Sequence, residues 1–374
     1  MTTKPLTILT GINRGSGPSS GSLILANDLY RATAASGVRT IYLGRTPVDP
    51  SWKAAFDDLI PLSTMKRPQG PGFDDYVDEL TREVGALVQQ LQPDVIHAQN
   101  VGFALSVALS RTAGDIPIIS LAHGTEVMAA ERSPAEHAAL REVATASTVI
   151  VSPTTVVATR IDRLTEHQLT NRLAIIPWGI RLADAKVRER PSTKTGPLSL
   201  VYAGRLDDNK SPVTAIEALS LAGEPHHLTV IGRGPLRQDL ERRAAELGVR
   251  DRVRFEGYLP RTEVWKRLPR HDAFVFTTAG TEGFGLVLIE AQAHGLPVVY
   301  SDLPGVSGVL GRTGMAYSPG KPRSLALALD ALGRDPCRRN ALARASVRNA
   351  HRYDIEYTAR QLHKLTLRVT TTRH

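Results

Sequence analysis

The sequence predicts an α/β protein made of two doubly wound parallel-sheet domains in tandem. Three observations carry this expectation. Short apolar runs rich in β-branched residues alternate with longer stretches of helical period along the chain. The short runs are apolar on both faces, as strands covered by helices on each side must be. The alternation lapses once, across RLADAKVRERPSTKTGP (181–197), and then restarts. A chain of 374 residues has the length for two such domains, each with a core of its own.

In the first half, strands are expected at 5–12 (PLTILTGI), 40–44 (TIYLG), 94–99 (DVIHAQ), 116–123 (IPIISLAH), 147–152 (STVIVS) and 173–179 (LAIIPWG). Helices are expected at 23–36 and 77–92, the second with apolar residues at three- and four-residue steps. The polar stretch with its two prolines carries no apolar period. It sets an N-terminal Rossmann-like domain at 1–182, a linker at 183–197 and a C-terminal Rossmann-like domain at 198–354. In that second domain the strand runs are 198–204, 227–232, 252–258, 273–278 and 297–302, with helices at 213–222, 236–248 and 286–295. Gly248 stands where a helix is expected to stop. The end of the chain, RYDIEYTARQLHKLTLRV (352–369), reads as an amphipathic helix. Ligands of doubly wound sheets bind beyond the carboxyl ends of the strands, so two such sheets predict a site in the cleft between them.

Composition narrows the functional classes. Hydrophobic residues make up 42% and charged residues 22%, the balance of a folded globular chain. The single cysteine, Cys337, rules out an intrachain disulfide and a thiolate metal site, and suits a reducing compartment. There is no signal-peptide pattern and no run of about 18 apolar residues, so the expectation is a soluble cytoplasmic protein. A net charge of +9 is compatible with nucleic acid, an anionic membrane surface, an anionic small substrate, or simply solvated surface charge. Aromatics are only 5% and the basic residues are scattered, which argues against a nucleic-acid platform.

Three motifs of the second half carry the candidate chemistry. VYAGRLDDNK brings Arg205 and Lys210 to the end of a strand. A guanidinium fork and an ammonium point charge there suit a diphosphate, although each charge alone also fits a solvated surface. VIGRGP sets Gly232 and Gly234 after a strand, a weak phosphate-loop pattern that equally describes a tight turn. TEGFGLVLIEAQAHG sets Glu282, Gly283, Phe284 and Gly285 in a loop before a helix that starts near Leu286. The first amides of that helix, at Leu286 and Val287, would face an anion. Glu290, one turn further in, would reach ribose hydroxyls, and Glu282 would reach the hydroxyls of a sugar. The pair Glu282 and Glu290 also fits a general acid and base. Against that, a diphosphate is already a good leaving group and mainly needs its developing charge stabilised.

AGRLDDNK, IGRGP, FEGYLP, TEGFGLVLIEAQAHGLPVV and TGMAYSPG, in this order over about residues 200–320, resemble the retaining GT-B glycosyltransferases with the Glu–seven residues–Glu motif, the group 1 or family 4 type. GPSSGSLILANDL, PDVIHAQ, LAHGTE and IIPWGI extend the resemblance more weakly to the first half. The resemblance implies a GT-B fold whose N-terminal domain binds the acceptor and whose C-terminal domain binds a nucleoside diphosphate sugar. It implies that the final helix, from about 355, packs back onto the first domain. Arg205, Lys210, Glu282 and His123 are the implied catalytic set. Gly21, Gly232, Tyr258, Leu259, Gly283, Phe284, Gly285, Leu286, Val287 and Glu290 join Arg205, Lys210 and Glu282 around the donor. His123, Gly124, Glu126 and Trp178 are expected near the acceptor. The implied mechanism retains anomeric configuration and uses no metal and no cofactor, with Arg205, Lys210 and the helix N-terminus in place of a cation. Three positions depart from the family pattern: Ser20 where a second glycine is usual, Pro177-Trp178-Gly179-Ile180-Arg181 where Pro-Asn-Gly-Val-Asp is common, and Gly308 near a usual glutamate.

The expected activity is transfer of a hexose or N-acetylhexosamine, from a UDP-sugar by the family's habit, to a hydroxyl of a small soluble acceptor such as a cyclitol, aminocyclitol or other secondary metabolite. Asp74, Asp75, Asp78, Glu79 and Glu126 form an acidic region that would attract a cationic acceptor; the first four equally suit a helix start. A lipid acceptor at a membrane surface ranks lower, since no helix combines a broad apolar face with a basic one. A sugar-nucleotide-binding protein or an epimerase on the same fold is the alternative of another class.

Overall fold

The computed structural model describes residues 5–15, 21–45, 50–67, 70–187 and 193–371. The chain divides into two units, Met1–Gly179 with Ile355–His374, and Ile180–Asp354. The division falls at 179/180, before the expected end of the first domain at 182. The expected linker 183–197 lies inside the second unit. The reason is local: the Ile180 amide donates to the Tyr353 carbonyl at 2.9 Å, and Ile180 forms a parallel bridge with Asp354. Its partners therefore come from the end of that unit.

The first unit holds seven strands: β1 (Thr7–Gly15), β2 (Arg39–Arg45), β3 (Asp58–Pro61), β4 (Val95–Ala98), β5 (Ile118–Leu121), β6 (Val149–Ser152) and β7 (Leu173–Ile175). All pair in parallel, in the order β3-β2-β1-β4-β5-β6-β7. β7 ends at Ile175, short of the expected 173–179, and the Ile176 amide still donates to the Ser152 carbonyl at 3.0 Å. The helix Phe73–Leu91 buries Tyr76, Val77, Leu80, Val84 and Val88, a four-residue rhythm that lays one stripe on the sheet beside Leu9 and Ile96.

A buried polar network ties this unit to the end of the chain. Thr366 Oγ1 donates to the Leu362 carbonyl at 2.8 Å, so it must accept from His97 Nε2–H at 3.0 Å. That leaves His97 Nδ1 to accept from the Tyr30 hydroxyl, also at 3.0 Å. Gln99 Nε2 donates to both Tyr30 Oη and Thr10 Oγ1 at 2.9 Å. Thr358 Oγ1 adds a bond to the Pro177 carbonyl at 2.8 Å. The terminal helix Ile355–Thr371 packs across the helix Gly21–Thr33 and so completes the first unit.

The second unit holds β8 (Ser199–Ala203), β9 (His227–Ile231), β10 (Val253–Gly257), β11 (Ala273–Phe276), β12 (Val298–Ser301) and β13 (Met315–Tyr317). Their order is β10-β9-β8-β11-β12-β13, again parallel throughout. Both sheets thus wind outward from a central pair, β1/β4 and β8/β11, where crossovers change direction. That switch point opens a crevice at the strands' carboxyl ends. Helices Pro322–Arg334 and Pro336–Ala350 each begin on a proline whose missing amide would have no helical acceptor. The buried His226 accepts from the Leu198 amide at 3.0 Å and donates to Asp330 at 3.1 Å, clasping the start of β8 to the first of these helices. No described helix is long and apolar enough to cross a membrane.

Candidate active site

The loops leaving β8 and β11 meet at the second unit's switch point. Thr277 Oγ1 donates to the Lys210 carbonyl at 2.8 Å, and the Ala279 amide to the Asn209 carbonyl at 3.2 Å. Asp207 accepts from the Lys210 amide at 3.0 Å and fixes the turn. These bonds aim the Lys210 ammonium at the Glu282 carboxylate, with which it forms an ion pair. The ammonium also lies 5.7 Å from the centre of the Phe276 ring. An ammonium has three donors, so a lysine held by one carboxylate still has capacity for a phosphate oxygen. Arg205 projects into solvent with its guanidinium 3.1 Å from Asp207. The Tyr202 hydroxyl holds the Arg205 carbonyl at 2.7 Å.

Gly285 caps the helix Leu286–Ala293 with φ 79°. A Cβ there would lie 2.6 Å from Leu288 Cδ1, so the tight entry needs glycine. The entry turns the first-turn amides, Leu286 and Val287 among them, outward without intrahelical acceptors. Phe284 is buried with its ring 5.4 Å from Tyr353; its side chain is core, and only its backbone faces the loop. Glu290 is 8% exposed and accepts from Arg261 Nε at 2.7 Å. Arg261 begins the helix Arg261–Arg267 that follows Tyr258 and Leu259. The Tyr258 ring is 41% exposed with the Arg233 guanidinium 4.8 Å above it, and Leu259 is half-buried.

Gly232 calls for a correction. Its amide is spent on the Gly257 carbonyl at 2.7 Å, and a Cβ would lie 1.8 Å from the Gly204 carbonyl oxygen. It packs the β9 loop against the β8 loop rather than offering an amide to the donor.

The loops at the carboxyl ends of β4 and β5 carry the first unit's candidates. His123 is pushed down to about 4 by burial, against a hydrogen bond to the Gln99 backbone that favours the charged ring. Its Nε2 is buried without a hydrogen-bond partner among the described residues. The Trp178 ring lies 5.8 Å away and is 2% exposed, with its Nε1 buried and without a hydrogen-bond partner among the described residues. Glu126, also 2% exposed, accepts from the His123 amide at 2.7 Å. Burial raises its pKa, against the backbone amides of Val101, Gly124 and its own residue, which lower it. Glu126 therefore joins two loops, with its Oε2 buried and without a hydrogen-bond partner among the described residues. Gly124, with φ 99°, caps the short helix Thr125–Ala130 between them. Asp74 and Asp75 occupy the first turn of their helix, while Asp78 and Glu79 form exposed ion pairs with Arg111 and Arg67. Gly21 opens the helix Gly21–Thr33; Ser20 lies outside the described residues. Gly308 has open space at its Cβ position. Among the described residues no three histidine, cysteine or carboxylate side chains cluster as metal ligands.

Two doubly wound parallel sheets in one chain, each switching direction at its centre, define the GT-B class of glycosyltransferases. The chain belongs to the glycosyltransferases of group 1 and family 4: the first description matches residues 184–349 and the second residues 20–184. It is 30% identical over 349 residues to a glycogen synthase of Mycobacterium tuberculosis, covering 85% of this chain and 83% of that one. It is 24% identical over 389 residues to a D-inositol 3-phosphate glycosyltransferase of Jonesia denitrificans, covering 92% and 90%. In fold it is similar to HepE of Anabaena, crystallised with UDP and glucose, at TM-score 0.79 and 16% identity over 96% of this chain and 99% of that one.

Arg261 is not marked by any of the sequence motifs. Its only signal was a position four residues before Trp265, at the start of a helix directly after the FEGYLP turn.

Proposed function

We propose that this glycosyltransferase moves a hexose or N-acetylhexosamine from a UDP-sugar to a hydroxyl of a small soluble acceptor such as a cyclitol, aminocyclitol or other secondary metabolite, with retention and without a metal. The observation that carries the reading is the Lys210–Glu282 pair at the β8/β11 switch point, with the helix Leu286–Ala293 opening beside it and Glu290 one turn inside. In the proposed reaction the bond from the anomeric carbon to the diphosphate breaks as the acceptor oxygen bonds to that carbon on the same face. The acceptor proton ends on the departing phosphate oxygen. Lys210, Arg205 and the helix amides stabilise the charge that develops on the leaving diphosphate. Glu282 takes hydroxyls of the sugar and Glu290 those of the ribose. His123, uncharged at neutral pH, offers an unpartnered ring nitrogen to a hydroxyl rather than a cation.

The UDP assignment draws support from the UDP and glucose bound to HepE, and the small acceptor from the relative named for inositol phosphate. A second reading, a glucan acceptor, is favoured by the 30% identity to a glycogen synthase. Thermal shift with UDP, GDP and ADP, followed by transfer from the matching sugar nucleotides to inositols, aminocyclitols and maltooligosaccharides, separates the two. Stabilisation by UDP and a glycosylated cyclitol of retained configuration are expected. Elongated maltooligosaccharide alone would establish the second reading, and stabilisation by none of the nucleotides would overturn both.

A further inference from the structure

Three side chains close a circuit on Glu290. Arg261 Nε donates to Glu290 Oε1 at 2.7 Å. The Arg261 guanidinium carbon lies 4.4 Å from the centre of the Trp265 ring, one turn along the same helix. The Trp265 ring meets His294 edge-on, 5.0 Å between centres at 70°. His294 Nδ1–H returns to the Glu290 carbonyl at 2.7 Å, which makes Nδ1 the protonated nitrogen of a ring that burial keeps neutral. The circuit joins two helices whose first turns stand at the carboxyl ends of β10 and β11. Arg261 and Glu290 side chains are 17% and 11% exposed, so neither is free to swing.

A carboxylate on a helix surface ordinarily samples several rotamers. Here a planar guanidinium, itself resting on an indole face, holds one oxygen of the group and restricts its rotamers. Resting on the donor-site reading above, we propose that Arg261 is a positioning residue that orients the Glu290 carboxylate for the vicinal hydroxyls of the donor's ribose. Arg261 acts through Glu290 and does not itself touch the sugar nucleotide's diphosphate, which belongs to Lys210 and Arg205. The contribution of Arg261 therefore appears as selectivity for ribose hydroxyls and leaves pyrophosphate binding unaltered.

Calorimetry tests this on the full chain with whichever of UDP, GDP and ADP binds most tightly, its 2′,3′-dideoxy counterpart, and inorganic pyrophosphate. In the native protein, loss of the hydroxyls is expected to weaken binding roughly 10- to 100-fold, the range for hydrogen bonds to a charged group. Arg261→Met keeps a stem over Trp265 and removes the guanidinium. It is expected to bring the ribose-to-dideoxyribose ratio below about threefold, with pyrophosphate affinity unchanged. Arg261→Lys, which keeps the charge without the fork, gives an intermediate ratio and serves if the methionine variant does not fold. A ratio equal to the native one in a folded variant overturns the proposal, as does an equal loss for all three ligands, which marks a merely structural pair. Failure of the native protein to bind any of the three nucleotides refutes the donor site and the proposal with it.

Discussion

The His97 network makes the first unit's stability depend on pH in a way that one substitution isolates. Burial lowers His97 from 6.5 to about 3, so the folded ring stays neutral where the unfolded one charges. Below about pH 6.5 the unfolded chain binds a proton that the folded chain refuses. The stabilisation from the neutral ring is complete above that value and drains away as pH falls toward about 3. Between pH 7 and pH 5 the loss is about 2 kcal/mol, taking ~1.4 kcal/mol per pH unit over the part of the interval below the unfolded pKa. His123, lowered to about 4, loses a similar amount over the same interval. Glu126 has the opposite sign: its raised folded pKa means that acidification relieves a buried charge and offsets part of the loss. His97→Gln offers a donor and an acceptor but no titration. Its stability deficit is expected to be about 2 kcal/mol smaller at pH 5 than at pH 7, a narrowing of ~4–8 °C in Tm. Thermal melts of both proteins at the two pH values measure it. Parallel curves, with a constant deficit, would refute the neutral-histidine account.

Lys210→Ala removes a cation from the leaving group and leaves the Glu282 carboxylate without that partner; turnover is expected to fall about 100- to 1,000-fold in a folded protein, and steady-state kinetics showing less than about a threefold change would exclude the role. Gly285→Ala forces an L-residue to φ 79° with its Cβ 2.6 Å from Leu288 Cδ1; a loss of about 1–2 kcal/mol in urea unfolding of the second unit is expected, and an unchanged midpoint would show that the turn is not under this constraint. Transfer is expected to persist in EDTA at a rate close to that without it; a strict requirement for added divalent cation would overturn the metal-free mechanism.

Most strands were legible because a parallel strand buried on both faces is a nearly unbroken apolar run. β3 escaped for a physical reason: it is a four-residue edge strand, half-exposed, beginning on Asp58 and ending on Pro61. β13 has three residues with Ala316 exposed between Met315 and Tyr317, too short for a period to show. Lys210, Glu282 and Glu290 were grouped by the resemblance of their motifs to a family, and of these Lys210 and Glu282 meet as an ion pair. Arg261 could not: one arginine in a chain with 46 basic residues, paired 29 positions away, leaves no local trace. Distance in sequence also hid the bond from His97 to Thr366, 269 positions away. A buried carboxylate and an exposed one read alike until the fold shows what surrounds them.

The return of Ile355–Thr371 to the first unit inverts the order in which the protein is finished. Met1–Gly179 is synthesised before the second unit, yet the first unit lacks its closing helix until Ile355–Thr371 is made. The second unit, Ile180–Asp354, is one unbroken segment and is complete before then. At about 5–20 residues per second its 175 residues take roughly 10–35 s to translate. Throughout that interval the nascent first sheet holds an uncovered helix Gly21–Thr33 and a His97 without Thr366. Until Ile355–Thr371 is available, the face of Gly21–Thr33 that it covers is apolar surface that a chaperone can hold.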